Sequence, residues 1–278
     1  VKKVYQTGRA FAALKESGEV VVWGDHAYGG RLRDPAKLSS GVIDIFTTLR
    51  AFAALKETGD VETWGQTDSG GYIGFARDEL GTAVKTIYNS SKAFAALTSS
   101  GAVITWGAPV YGGDQRAVKA QLQGGVRAVF SSGQAFAALK ETGSVVTWGA
   151  PRGGGDSSHV SASLTSGVST VFGAAAAFAA LKTGGAVITW GDPDCGGDSS
   201  AVAAELRKDV VQVYSTATAF SAVRKDGSVV CWGFPTDGGD SGAVGKQLAG
   251  GIYTIASTQS AFAALKREPR TQAELTSS

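Results

Sequence analysis

Val126-Arg127-Ala128-Val129-Phe130, Ala135-Phe136-Ala137-Ala138-Leu139-Lys140 and Ser144-Val145-Val146-Thr147-Trp148-Gly149 are three short apolar runs lying close together in the chain. The first is β-branched and aromatic. The second is too brief for a stable helix. Ser131 to Gln134 form a polar turn between them, and Glu141-Thr142-Gly143 separates the second run from the third. A three-residue loop closing on Gly suits a type I turn followed by a left-handed residue, the connection that joins antiparallel strands through a bulge. The stretch reads as three consecutive strands.

The same stretch recurs along the chain. Its Phe falls at Phe11, Phe52, Phe94, Phe136, Phe178, Phe220 and Phe262, and its Trp-Gly at Trp23, Trp64, Trp106, Trp148, Trp190 and Trp232. The period is about 42 residues, and every tryptophan of the chain occupies this one slot. Gly18, Gly59, Gly101, Gly143, Gly185 and Gly227 hold the last loop position, where only Gly takes φ > 0 without steric cost. A longer connection with a Gly-Gly pair follows each Trp-Gly. Asp114, Asp156, Asp198 and Asp240 come directly after that pair, suited to capping a single helical turn. Val118 and Leu122, Val160 and Leu164, Val202 and Leu206, and Val244 and Leu248 are each four apart, on one face of such a turn. A second short strand satisfies the same pattern. Calcium ligation is the competing reading of these Asp residues, but Arg31 and Tyr72 stand in the first two units where a repeated metal site needs an acid.

Three short strands with apolar residues on both faces cannot bury themselves alone. Radial stacking of the copies solves this and protects most strand edges, and a period near 40–45 residues is typical of propeller blades. The expected fold is an all-β, seven-bladed β-propeller over residues 1–266, followed by a polar tail at 267–278. The small Ala side chains suggest that the Ala-Phe-Ala-Ala-Leu strands crowd near the axis, and an open β-solenoid is the competing architecture. The combination of Leu-Lys, turn Gly, Val-x-x-Trp-Gly and Gly-Gly-Asp resembles the repeat of the regulator of chromosome condensation family, in the compact form of propeller-type β-lactamase inhibitor proteins. The resemblance covers essentially residues 1–266 and implies seven blades.

There are seven Ala-Phe strands but only six Trp-Gly strands. Arg267-Glu268-Pro269-Arg270 lacks the turn Gly, so the last blade is expected to lack its third strand here. In related propellers a strand from the opposite terminus completes that blade. A Val-x-x-Trp-Gly strand is accordingly expected ahead of Val1 in a longer natural chain.

Composition narrows the chemistry. Lys+Arg 26 against Asp+Glu 24 leaves a net charge of +2, which gives no strong electrostatic reason to expect nucleic acid or an anionic membrane as partner. No apolar run is long enough for a membrane helix. The only two histidines, His26 and His159, sit in loops at different positions of the repeat. No Cys/His cluster has metal-ligand spacing, and no acid–base pair or nucleophile stands out, so neither an enzyme nor a cofactor is expected. The tryptophans fit a blade core. Cys231, inside a strand, reads as a small buried hydrophobe, and Cys195, in a Gly-Gly loop, as more exposed.

Positions that keep the repeat build the scaffold, whereas those that depart from it are candidates for recognition. The departures concentrate in the connections of the first two units, with His26, Tyr28, Arg31 and Arg33, then Tyr72, Phe75 and Arg77. Tyr111 and Arg152 extend the set. Aromatics and Arg anchor protein interfaces, and loops on a rigid scaffold are the usual site of binding. The expectation is a non-catalytic interaction module that binds another protein through loops on one propeller face. The alternative is a carbohydrate- or small-ligand-binding propeller. The resemblance does not narrow this further. The nucleotide exchange known for one family member uses an inserted wedge that uniform units have no room for.

Overall fold

The computed structural model describes residues 1–81 and 83–266; the 267–278 tail expected from the sequence lies outside the described residues. Each unit forms one antiparallel sheet. In the fourth, Val126–Ser131 pairs with Ala135–Lys140, which pairs with Val145–Gly149. Six sheets have three strands, and the seventh has two among the described residues, Ile252–Ser257 and Phe262–Lys266. The β-propeller expected from the repeat is the fold observed, with no outer strand in the last blade among the described residues.

The first strands of successive blades touch one another, so they are the innermost layer. This corrects the placement of the Ala-rich run. It is the middle strand of each blade, and Ala135 to Leu139 are at most 1% exposed because both faces are covered by neighbouring sheets. Its two faces do different jobs. Phe136, Ala138 and Trp148 pack on Ala93, Ala95 and Leu97 of the preceding blade. Ala135, Ala137 and Leu139 receive Phe178, Ala180 and Trp190 of the following one. Small side chains therefore set the spacing between sheets, and the aromatic pair of one blade fills the hollow left by the alanines of the blade before it.

Two hydrogen-bond series tie the blades together. At one end, the inner-hairpin turns are linked in sequence: the N–H of Gly8 donates to the Leu49 carbonyl, Leu49 to Ser91, Ser91 to Gly133, Gly133 to Ala175, Ala175 to Ala217 and Ala217 to Gln259, at 2.7–3.0 Å. At the other end, the turn-glycine carbonyl accepts the first N–H of the next inner strand, as in Val168 to Gly143 at 2.9 Å. Gly143 has φ 78°, the left-handed conformation expected at that loop position.

Each tryptophan stacks on the Phe of its own middle strand, with ring centroids 5.0–5.5 Å apart. In five blades the indole N–H also donates to the first glycine of the preceding Gly-Gly pair, as in Trp190 to the Gly154 carbonyl at 3.0 Å. Those glycines have φ between 85° and 95°, and a Cβ on Gly154 would stand 2.5 Å from the Phe178 ring. The Gly-Gly pair is thus an inter-blade joint. The six connections are short helical turns rather than an added strand, with Arg116–Leu122 and Ser158–Leu164 as 3-10 helices that bury Leu122 and Leu164. Asp156 and Asp198 accept the N–H two residues ahead, from Ser158 and Ser200, and these bonds hold both carboxyls below their ordinary value. The caps predicted for these acids are present.

Candidate functional site

The strand order decides where the departing residues go. Ala10 pairs with Gly24, so the loop after each Trp-Gly begins at the same end as the inner-hairpin turns. The connection finishes at the opposite end, where the Val42 N–H meets the Gly18 carbonyl. In between it must run down the outer strand. The candidates therefore divide between an end face and the outer rim, and Arg33 lines a hollow on each.

On the end face, His26 and Tyr28 lie in the 3-10 turn His26–Tyr28, whose Asp25 cap accepts the Ala27 N–H. The guanidinium groups of Arg9 and Arg50 stand 5.2 and 4.9 Å from the Tyr28 ring centre, one from each of two neighbouring blades. Lys92 lies over Tyr111 in the same way, at 5.0 Å. Such contacts add roughly 0.5–1 kcal/mol each at exposed sites. Arg152 bridges to the next blade: its Nε donates to Asp192 Oδ2 at 2.8 Å, and Asp194 lies 3.6 Å away. That arginine is already committed to a partner, whereas His26 and Arg31 line a shallow hollow with Arg33 and Gly65.

The rim is different. The second unit departs most from the common connection, carrying a short α-helix, Ala76–Leu80, in place of a 3-10 turn. Phe75 just before it is 97% exposed and Tyr72 is 60% exposed. Tyr72, Phe75 and Ala76 form one lip of a groove whose floor is Ile104, Thr105 and Trp106 of the third blade's outer strand, with Gln115 beside it. Lys119 and Glu79 close the groove by an ion pair of 2.7 Å. A second groove, holding Arg33, Lys37, Glu62 and Arg77, lies on the other side of Tyr72 and Ile73. Glu62 pairs there with Arg77 at 3.2 Å and with Lys37 at 3.7 Å.

Tyr5 donates to Asp44, and burial with that carboxylate holds the phenol protonated. Both thiols are pushed up, first by burial. Cys231 is half-buried, its thiol 3.4 Å from Ser221 Oγ, and Cys195 packs against the core between the fifth and sixth blades. Among the described residues no group of three or more acids, histidines or cysteines is placed to hold a metal ion, and no helix is long and apolar enough to cross a membrane.

No family model and no curated protein matches the sequence. Solved structures match it in shape. Prp20p from Saccharomyces cerevisiae, described with its binding to Gsp1p and histones, superposes with a TM-score of 0.51 at 16% identity, over 95% of this chain and 76% of that one. Yeast RCC1 (Prp20) bound to Kap60 gives 0.50 at 16% identity, over 84% and 70%. The fold is that of an RCC1-type propeller. The ectodomain of the Physcomitrella patens receptor kinase CR4 is matched at 0.48 and 15% identity over 83% of this chain, which spans 63% of that ectodomain's length.

Two features of this RCC1-type propeller escaped sequence reading although both carried a signal. Thr7, Thr48, Ser90, Ser132 and Thr216 keep the repeat spacing, and each hydroxyl donates to a carbonyl in the connection 21 residues on, at 2.8–3.1 Å. Gln115 stands where the next three units carry Ser157, Ser199 and Ser241, a departure as informative as the aromatic ones.

Proposed function

We propose that this chain is a non-catalytic scaffold that binds another protein, using the rim of the first three blades together with the adjoining end-face loops. The observation that carries the reading is the exposure of Phe75 and Tyr72 on the lip of a groove. Two exposed aromatics beside a partly apolar floor, rimmed by Glu79, Arg116 and Lys119, have the make-up of a protein-binding hot spot with a polar surround. The yeast relatives in shape bind proteins, according to the descriptions of their structures, and this is consistent with the same use here. A protein partner is favoured over nucleic acid because the rim cations are matched by Glu62, Glu79 and Asp114.

The test is partner capture from a native extract by the immobilised chain, with Tyr72→Ala/Phe75→Ala as the comparison. Proteins retained by the wild type and released by the double variant support the reading. Equal retention by both would refute it, and binding to a glycan array with no protein retained would favour the carbohydrate alternative.

A further inference from the structure

In the fourth and fifth blades a threonine on the outer strand is tied to a serine of the following connection. Thr147 Oγ1 lies 2.9 Å from Ser157 Oγ, and Thr189 Oγ1 lies 2.9 Å from Ser199 Oγ. The third blade has the threonine, Thr105, but Gln115 replaces the serine. The longer amide extends to the strand, where its Nε2 donates to the Val103 carbonyl at 3.0 Å. Thr105 Oγ1 and Gln115 Oε1 are then left without a hydrogen-bond partner, in residues that are each only 8% exposed. Buried oxygens without donors are uncommon in folded proteins and each calls for an explanation. Both residues line the rim groove beneath Tyr72 and Phe75.

That groove meets the second one at a shared wall, Tyr72 and Ile73. The two differ in character. The first offers an apolar floor with two unfilled oxygens. The second offers three cations, Arg33, Lys37 and Arg77, against Glu62 and Asp34. Glu62 serves two of those cations, and Arg33 has no ion-pair partner among the described residues.

We infer that the two grooves form one track for an extended, acidic peptide segment of a partner protein. A side chain with an N–H or O–H donor (Ser, Thr, Asn or Gln) enters between Thr105 and Gln115. An apolar side chain lies against Tyr72 and Phe75, and an acidic one meets Arg33 and Arg77. A ligand that is polar, apolar and anionic in succession along one path fits a peptide, whereas a neutral sugar supplies no anion for the second groove. The inference rests on the protein-interaction reading above and adds the chemistry of the segment recognised.

A random-peptide phage library panned against the full chain tests it, with selected peptides then labelled and titrated by fluorescence anisotropy. The expected winners carry a hydroxyl or amide residue near an apolar one, with Asp or Glu further along. Gln115→Ser restores the Thr–Ser pair of the next two blades, so the fold is retained while the oxygens are closed off. It should weaken binding by about tenfold, the scale of one lost hydrogen bond. Arg33→Ala/Arg77→Ala should weaken acidic peptides selectively and flatten their salt dependence. Failure to enrich any sequence, or winners that bind Gln115→Ser as well as wild type, would overturn the inference. So would a glycan that binds the wild type and not Gln115→Ser in the absence of peptide binding. Protein capture that depends on Phe75 yet ignores Gln115→Ser would sink the peptide track and leave the interaction reading standing.

Discussion

Phe178 and Trp190 in the fifth blade and Phe11 and Trp23 in the first are the same pair in the same stack, at centroid separations of 5.3 and 5.5 Å. The fifth-blade pair is 0% exposed, whereas Phe11 and Trp23 are 40% and 45% exposed. The sheet and the stacking are therefore not what removes these rings from water. The preceding blade does so, through its alanines and the carbonyl of its Gly-Gly joint, and no described blade lies before the first. The last blade shows the reverse side of the same joint. Leu265 is 50% exposed where its equivalent Leu139 is 1% exposed. Burial of these side chains depends on the contact between sheets, as in repeat proteins whose units contact only their neighbours.

This contrast can be broken in several places. Trp190→Ala should cost about 3–5 kcal/mol, the usual range for a buried aromatic, while Trp23→Ala should cost about 1 kcal/mol or less; chemical denaturation of the two variants measures the gap. Gly154→Ala forces a left-handed non-glycine residue and a Cβ into the Phe178 ring, so a loss of about 1–3 kcal/mol is expected. Gly184→Ala, where a Cβ meets nothing within 4 Å and φ is not positive, should stay within about 0.5 kcal/mol of wild type. Exchanging the outer-strand partners sharpens the comparison between third and fourth blades. Gln115→Ser should stabilise, and Ser157→Gln destabilise, each by about 0.5–1.5 kcal/mol, read as opposite shifts in melting temperature. The smallest effect is the pH dependence of the Asp198 cap. Its folded carboxyl lies below the ordinary value, so its contribution is complete above about pH 4 and is lost as pH falls through the lowered folded value. Asp198→Asn should remove that slight acid sensitivity in urea titrations at pH 3 and pH 6, and an unchanged difference between the two pH values would count against the cap.

The architecture was legible because its determinants are local and repeated: turn glycines, an apolar strand with no polar side, and a Trp-Gly beat. Layer assignment was not. The Ala run looks suited to the axis, yet it lies in the middle strand, because small side chains are needed wherever two sheets close face to face. The candidate residues were legible as departures from the pattern, but their division was not. Tyr28 and Tyr111 stay on the end face while Tyr72 and Phe75 pass to the rim, and this depends on how far along the descending connection each residue falls. Gln115 was overlooked for a simpler reason. A polar residue in a polar slot looks unremarked until its neighbour, Thr105, is seen without the serine that its counterparts have.

Hydrogen–deuterium exchange of the chain with and without a captured partner tests the central claim most directly. Slowed exchange in residues 71–80 and 103–119, with the corresponding connection of the fifth blade at 193–206 unchanged, is the predicted result. Protection confined to 193–206, or spread equally over all connections, would contradict it.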